Sequence, residues 1–517
     1  MIRILDCTLR DGGYVNHFAF GDQAARQIIA RLSASGVEYI EVGFLRNTKQ
    51  ESETTVFRSV GDIEAFLPAQ HPAGGYFAMI VYGQYDDAQL PVREESSIDG
   101  IRVTFKKHEV EAALDYICRI RAKGYIVSAN PTAIHSYSDQ EFIALLEKIN
   151  RAGVDIFALV DTMGLLKRTE LLRLLYLVDH NLDKSVALAF HSHNNLQMSF
   201  AHAQTLIEAG MKRHLIIDTS LRGMGRGAGN LCTELLLQYL NDSQDKQYNL
   251  VPVLIAIDEH IDKIYARTPW GYNLPYYLAA SLRCHPNYAA YLVDKGTVSI
   301  AGISEILACI PEEQRTLFQK ELIEKLYLDY QREEVDDTQI LQDLKDTIGG
   351  REVLLLGPGK TMDTEREVIH AYIEQQAPCV ISINYRPHHI KVDKVFISNA
   401  KRFAKHTDYR DVLITSNIKN TDLPRLNYHT YLNSTGMPDN ALLMMLQILI
   451  HLGVKQVACA GLDGFDECAD NYYRSDLGAQ PIISGEDHRN EDISAELQRL
   501  SEKIGIHFIT TTRYRLS

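Results

Sequence analysis

Between residues 2 and about 230, short runs of β-branched and apolar residues alternate with longer stretches in which apolar positions recur every three or four residues. That alternation predicts repeated βα units around a parallel sheet. Eight runs read as strands: 2–9, 38–44, 76–83, 100–105, 125–130, 156–162, 187–193 and 214–220. Between them, 23–35, 109–123, 139–152 and 169–182 read as helices, with Gly36, Gly124, Gly153 and Gly210 placed as C-caps. Eight such repeats in about 230 residues fit a TIM (β/α)8 barrel better than an open doubly wound sheet.

After residue 231 the strand pattern stops. Residues 233–347 read as a helical extension of the barrel, with an aromatic-rich stretch at 270–277 and an acidic one at 333–346. From Gly349 and Gly350 onward the texture changes again: 353–356, 380–384, 394–397, 412–415 and 456–460 read as strands and 439–452 as a strong helix. The organisation expected is a catalytic barrel over 1–232, its extension over 233–347, and a smaller Rossmann-like α/β domain over 348–517.

Composition narrows the class. Apolar residues make up 45% and charged residues 23% of the 517, as in ordinary soluble globular proteins. The net charge of −14 argues against a phosphate-backbone footprint, so nucleic acid is a poor partner. The eight cysteines (Cys7, Cys118, Cys232, Cys284, Cys309, Cys379, Cys459 and Cys468) are scattered and form no CxxC pair, as expected of reduced cytoplasmic thiols. No signal-peptide pattern opens the chain, and the longest uncharged run, 440–454, is shorter than the roughly 20 apolar residues of a membrane span.

Working residues of a TIM barrel sit at the C-terminal ends of its strands. The first strand runs into Thr8-Leu9-Arg10-Asp11-Gly12-Gly13, and the seventh into His191-Ser192-His193-Asn194-Asn195. Residues two apart on a strand face the same way, so His191 and His193 can aim at one ion. Barrel closure makes strands 7, 8 and 1 neighbours, which brings Asp11 to the pair, and the loop after strand 8 supplies Asn230. One carboxylate, two imidazoles and an amide oxygen suit a divalent cation: Mn2+, Mg2+ or Zn2+. Taken singly, Arg10-Asp11 reads equally well as a strand-end ion pair, and the HxH as satisfied polar residues.

Leu9-Arg10-Asp11-Gly12, Glu41-Val42-Gly43-Phe44, Asp161-Thr162-Met163-Gly164, His191-Ser192-His193-Asn194-Asn195 and Gly225-Arg226-Gly227-Ala228-Gly229-Asn230 resemble the ordered motifs of the DRE-TIM metallolyases. The likeness spans about residues 1–300 and is greatest to the hydroxy-oxo-acid aldolases. It implies a metal-dependent aldolase that cleaves a 4-hydroxy-2-oxo acid through a pyruvate-type enolate, or runs the reverse condensation. It also implies that Arg10 is catalytic and substrate-binding and that Asp11, His191 and His193 are metal ligands, Mn2+ being the expected ion. Glu41 either orients Arg10 or closes a structural pair; Thr162 either contacts the substrate carboxylate or caps its strand. The family's histidine base is replaced here by Tyr14, with His17 three residues on; either Tyr14 or His17 takes the role of the base, or Tyr14 only shapes the pocket.

A Claisen-type acyl-CoA/2-oxo acid synthase on the same site is the alternative reading, and a non-catalytic barrel serving a nucleotide-binding or assembly domain is a third. The cysteine that acyl-CoA lyases carry after strand 8 is missing from 220–229. Expected partners are a 2-oxo acid and an aldehyde, an aldehyde-consuming enzyme, and further copies of the chain. In the last third, Gly357-Pro358-Gly359-Lys360-Thr361 reads as a turn whose backbone N–H groups can hold a phosphate, although Leu354 breaks a Walker A pattern. With Ala460-Gly461-Leu462-Asp463-Gly464 it faintly resembles nucleotide-sugar-handling domains of the bacterial sialyltransferase type.

Overall fold

The computed structural model of the chain describes residues 1–47, 53–68, 71–419, 421–433, 439–466, 471–474 and 488–515. They form two compact units, Met1–Pro286 with Glu312–Phe318, and Asn287–Pro311 with Gln319–Ser517.

The first unit is a closed parallel barrel. Its strands are β1 (Ile2–Asp6), β2 (Tyr39–Leu45), β3 (Gly75–Val81), β4 (Gly100–Phe105), β5 (Ile126–Pro131), β6 (Ile156–Asp161), β7 (Ala187–Ser192) and β8 (Leu215–Thr219). Each pairs in parallel with the next, and β8 pairs with β1, closing the ring. Leu5, Cys7, Phe77, Ile156, Ala158 and Ile216 fill part of the interior. The outer strand faces pack against the apolar stripes of surrounding helices, among them α1 (Asp22–Ser35), whose Ile28 and Leu32 are fully buried. Each such aliphatic side chain contributes roughly 1.5–3 kcal/mol on leaving water.

β1 ends three residues earlier than its apolar run predicts, because the chain turns on itself: the Arg10 and Asp11 N–H groups both donate to the Cys7 carbonyl. Asp11 therefore enters the mouth from a turn. A two-residue strand, Val56–Phe57, adds to the end of β2, where the register shifts between Glu41 and Phe44. Gly43 sits at that shift with φ +153°, and a Cβ on it would lie 2.0 Å from the Thr55 carbonyl oxygen.

The second unit holds a seven-stranded, all-parallel sheet: β9 (Val353–Leu356), β10 (Cys379–Ile383), β11 (Lys394–Ile397), β12 (Val412–Thr415), β13 (Arg425–Leu426), β14 (Gln456–Ala460) and β15 (Gly505–Phe508), in spatial order β13-β12-β11-β10-β9-β14-β15. Helices cover both faces. Leu344 and Ile348 of a helix over Thr338–Ile348, Leu443 of one over Ala441–His451 and Leu497 of one over Arg489–Ser501 pack on one face; Ile369 of a helix over Arg366–Gln376 packs on the other. Residues 233–347 thus distribute over both units.

The phosphate-holding turn expected at 357–361 is closed from within. Gly357 and Gly359 donate to the Ala460 and Gly461 carbonyls, and the Thr361 N–H donates to Asp463 Oδ2. A carboxylate stands where an anion would have to sit. Seven of the cysteines are described and none is in a disulfide; Cys468 lies outside the described residues. Among the described residues no helix is long and apolar enough to cross a membrane.

Candidate metal centre

At the C-terminal mouth of the barrel, ligand-type atoms of Asp11, His191 and His193 all lie within 4.8 Å of one another, and all three residues are buried. His191 and His193 arrive by the alternation of β7 and its continuation. Asn230 is brought alongside by an isolated bridge to His193 and by the Asn194 N–H donating to the Gly229 carbonyl. The Asn230 amide donates to Asp11 Oδ2 (2.7 Å) and to the Met224 carbonyl, which leaves its Oδ1 buried with no hydrogen-bond partner. His193 Nδ1 is likewise buried and unpartnered. Orphaned acceptors in a dry site are costly unless a ligand satisfies them, and a cation fits what these residues offer. The backbone yields the room: a Cβ on Gly225 would lie 2.3 Å from Asn230 Nδ2 and 2.8 Å from Asp11 Oδ2.

The charges are set for coordination. Burial alone would raise the Asp11 carboxyl, but Arg10, His193 and His191, with the hydrogen bond from Asn230, hold it well below the usual carboxylate range. Burial pushes His193 down to about 4 against the pull of Asp11, so its imidazole is neutral near pH 7, the form that binds a metal.

Beneath the triad lies a buried ion-pair network. Arg10 donates through Nε to Glu41 (2.7 Å) and through a terminal nitrogen to Asp11 (2.7 Å). The same Glu41 oxygen accepts from Arg102 (3.1 Å), whose other nitrogen donates to Asp218 (2.5 Å). Asp218 in turn faces His191 Nδ1 at 3.0 Å, which turns the other ring nitrogen toward the cluster. Arg102 and Asp218 were not anticipated from the sequence. The signal available was a single charge inside each of two apolar strands.

The remaining expected residues distribute around the mouth. Glu41 is fully buried and grips Arg10, so the pair is both an ion bridge and a clamp on the guanidinium. Thr162 accepts a hydrogen bond from the Ala133 N–H, fastening the loop after β5 to the end of β6. Tyr14 closes a 3-10 turn on the rim, 40% exposed, edge-on to Phe18 and Phe44, with the Arg226 guanidinium 5.4 Å from its ring centroid. His17 is exposed on a left-handed backbone (φ +55°). His285, from the segment after the barrel, is pushed down to about 3 by burial and by the charges of Arg226 and His193.

A family model described as HMGL-like matches residues 1–259. The oxaloacetate decarboxylase of Mycobacterium tuberculosis is 29% identical over 249 residues, 46% of this chain and 69% of that protein. The 4-hydroxy-2-oxovalerate aldolase of Geobacillus genomosp. 3 is 26% identical over 242 residues, 46% of this chain and 70% of that protein. Among solved structures, the HMG-CoA lyase of Bacillus subtilis superposes with a TM-score of 0.44 at 17% identity, covering 51% of this chain and 93% of that one.

Proposed function

The chain belongs to the HMGL-like family, and on that premise we propose that its barrel is a divalent-metal-dependent aldolase, splitting a 4-hydroxy-2-oxo acid into pyruvate and an aldehyde or joining the two in reverse. The observation that carries this reading is the convergence of Asp11, His191 and His193 beside the Arg10 guanidinium, with the Asn230 Oδ1 acceptor left over. The donor set suits Mn2+, with Mg2+ and Zn2+ as the other fits. When bound, such a cation polarises the keto oxygen of a 2-oxo acid and offsets negative charge developing on it.

The chain's own groups do the rest. As the C3–C4 bond breaks, its electron pair moves toward the keto oxygen, and Arg10 donates a hydrogen bond there. A donor fixed at both ends in a buried site needs no reorganisation when the charge develops. Glu41 and Asp11 supply that fixing. The proton of the C4 hydroxyl passes to His17, or to Tyr14 as that phenol gives up its own proton, and C3 takes a proton back to become the methyl of pyruvate. Thr162, whose oxygen already accepts from Ala133, keeps its hydroxyl hydrogen for the substrate carboxylate. Decarboxylation of oxaloacetate breaks the corresponding C3–C4 bond and sends its electron pair the same way, so one site serves either reaction. An aldehyde-consuming partner enzyme, self-association and a cytoplasmic setting belong to the same proposal.

Pyruvate release from 4-hydroxy-2-oxovalerate, followed with lactate dehydrogenase, tests the reading. Release should require a divalent ion and vanish in His193→Ala. A metal-loaded protein that releases no pyruvate from this or from longer 4-hydroxy-2-oxo acids is not an aldolase of this kind.

A further inference from the structure

A cavity of about 440 Å3 opens at the end of the barrel opposite the metal-type cluster. It is lined by Cys118 and Arg121 of a helix over Val110–Ala122, by Ala152 at the end of the helix over Asp139–Ala152, by Ile126 where β5 begins and by Asp155 just before β6. These are strand beginnings, whereas Asp11, His191 and His193 stand at strand ends. The volume falls within the roughly 300–1,000 Å3 of small-molecule sites.

Two opposite charges line this cavity without neutralising each other. The Arg121 guanidinium makes no ion pair or hydrogen bond among the described residues. Asp155 accepts from the Val127 N–H through Oδ2 (2.9 Å) and makes no ion pair among them either. The left-handed Gly153 admits the guanidinium: a Cβ there would lie 3.3 Å from Arg121 Nη1. Both helices end at the cavity, and the partial negative charge of a helix C-terminus favours a cation, as Asp155 does. Much of the remaining lining is apolar: Ala122, Tyr125, Ile126, Ala152 and the Cys118 thiol, which donates to the Ala152 carbonyl (3.7 Å).

We propose that this cavity binds a small zwitterion of the apolar α-amino-acid class, with its carboxylate on Arg121, its ammonium on Asp155 and its side chain on the apolar wall. A guanidinium fork matches a carboxylate. A ligand with one charge alone answers only half of the lining, since an anion also meets Asp155 and a cation also meets Arg121. No bond is made or broken here, and the site stands or falls independently of the aldolase reading.

The full chain is titrated calorimetrically with valine, methionine and phenylalanine. At least one should bind, and its affinity should fall about tenfold or more in Arg121→Met and in Asp155→Asn, which keeps an oxygen for the Val127 N–H. The unmodified chain gives the same test from the ligand's side. N-acetylation removes the ammonium and amidation removes the carboxylate, and each should weaken binding of that amino acid by about tenfold or more. A chain that binds none of the three, that binds the blocked derivatives as well as the free amino acid, or that keeps its affinity in either variant overturns the site. So does binding that pyruvate and Mn2+ together displace, because the amino acid would then occupy the other end of the barrel.

Discussion

The Nδ1 atom of His191 lies 3.0 Å from Oδ2 of Asp218, and that contact ties the metal-type cluster to a carboxylate held by Arg102 from the opposite side of the barrel. A carboxylate behind a ligating histidine fixes its ring and raises its basicity. Asp218→Asn should therefore weaken divalent-ion binding by about 10- to 100-fold, and should also lower Tm, because it removes one of the two buried carboxylates that Arg102 pairs with. Competition with a metal-chelating dye measures the first and a thermal melt the second; unaltered affinity would reduce Asp218 to a partner of Arg102.

Arg102 is 1% exposed and bridges Glu41 to Asp218. Replacing it with methionine keeps most of the volume but leaves two buried carboxylates short of their shared cation. Chemical denaturation of Arg102→Met should show a loss of about 3–5 kcal/mol, the range for breaking a buried pair. A loss below about 1 kcal/mol would mean that Arg10 and His191 suffice to hold the two acids.

Gly225 leaves no room for a side chain beside Asn230 and Asp11. Gly225→Ala should push these two apart, lowering metal affinity and pyruvate release together by about tenfold or more while the barrel still melts cooperatively. If both survive the substitution, the loop moves without disturbing the cluster, and the close approach is incidental.

Stability should also report on Asp6, at the end of β1. Burial raises its carboxyl from 3.8 to about 6, against hydrogen bonds from Thr233 and Thr8. The folded state thus binds the proton more tightly than the unfolded chain. This contribution is fully present below about pH 4 and is lost as pH rises through about 6, a change of roughly 3 kcal/mol. Asp6→Asn cannot ionise, so the difference in unfolding free energy between the two proteins should shift in favour of the variant between pH 4 and pH 7. A difference that stays flat across that window would place the proton elsewhere.

Much of this was legible along the chain because barrel strands are short apolar runs between amphipathic helices. The strand at 100–105 and the helix at 139–152 coincide with β4 and with the helix Asp139–Ala152, whose ends are marked by the Ser138–Glu141 capping box and by Gly153 in the left-handed conformation. Asp11, His191 and His193 were legible because a strand end and a two-residue repeat dictate their direction. Arg102 and Asp218 were not: 116 residues separate them, Glu41 lies 61 residues from Arg102, and only ring closure brings the three together. The turn at 357–361 misled because its donors are satisfied by a loop about 100 residues later, centred on Asp463.

In the proposed reaction the Asp11, His191 and His193 cluster, with Arg10, activates the carbon next to a 2-oxo acid's keto group. Proton NMR of pyruvate in deuterium oxide reads this without any aldehyde. The methyl signal should fade in the presence of the protein and Mn2+, stop fading when the metal is chelated, and persist with Asp11→Asn. Exchange that continues without metal, or that is equally fast in Asp11→Asn, would contradict it.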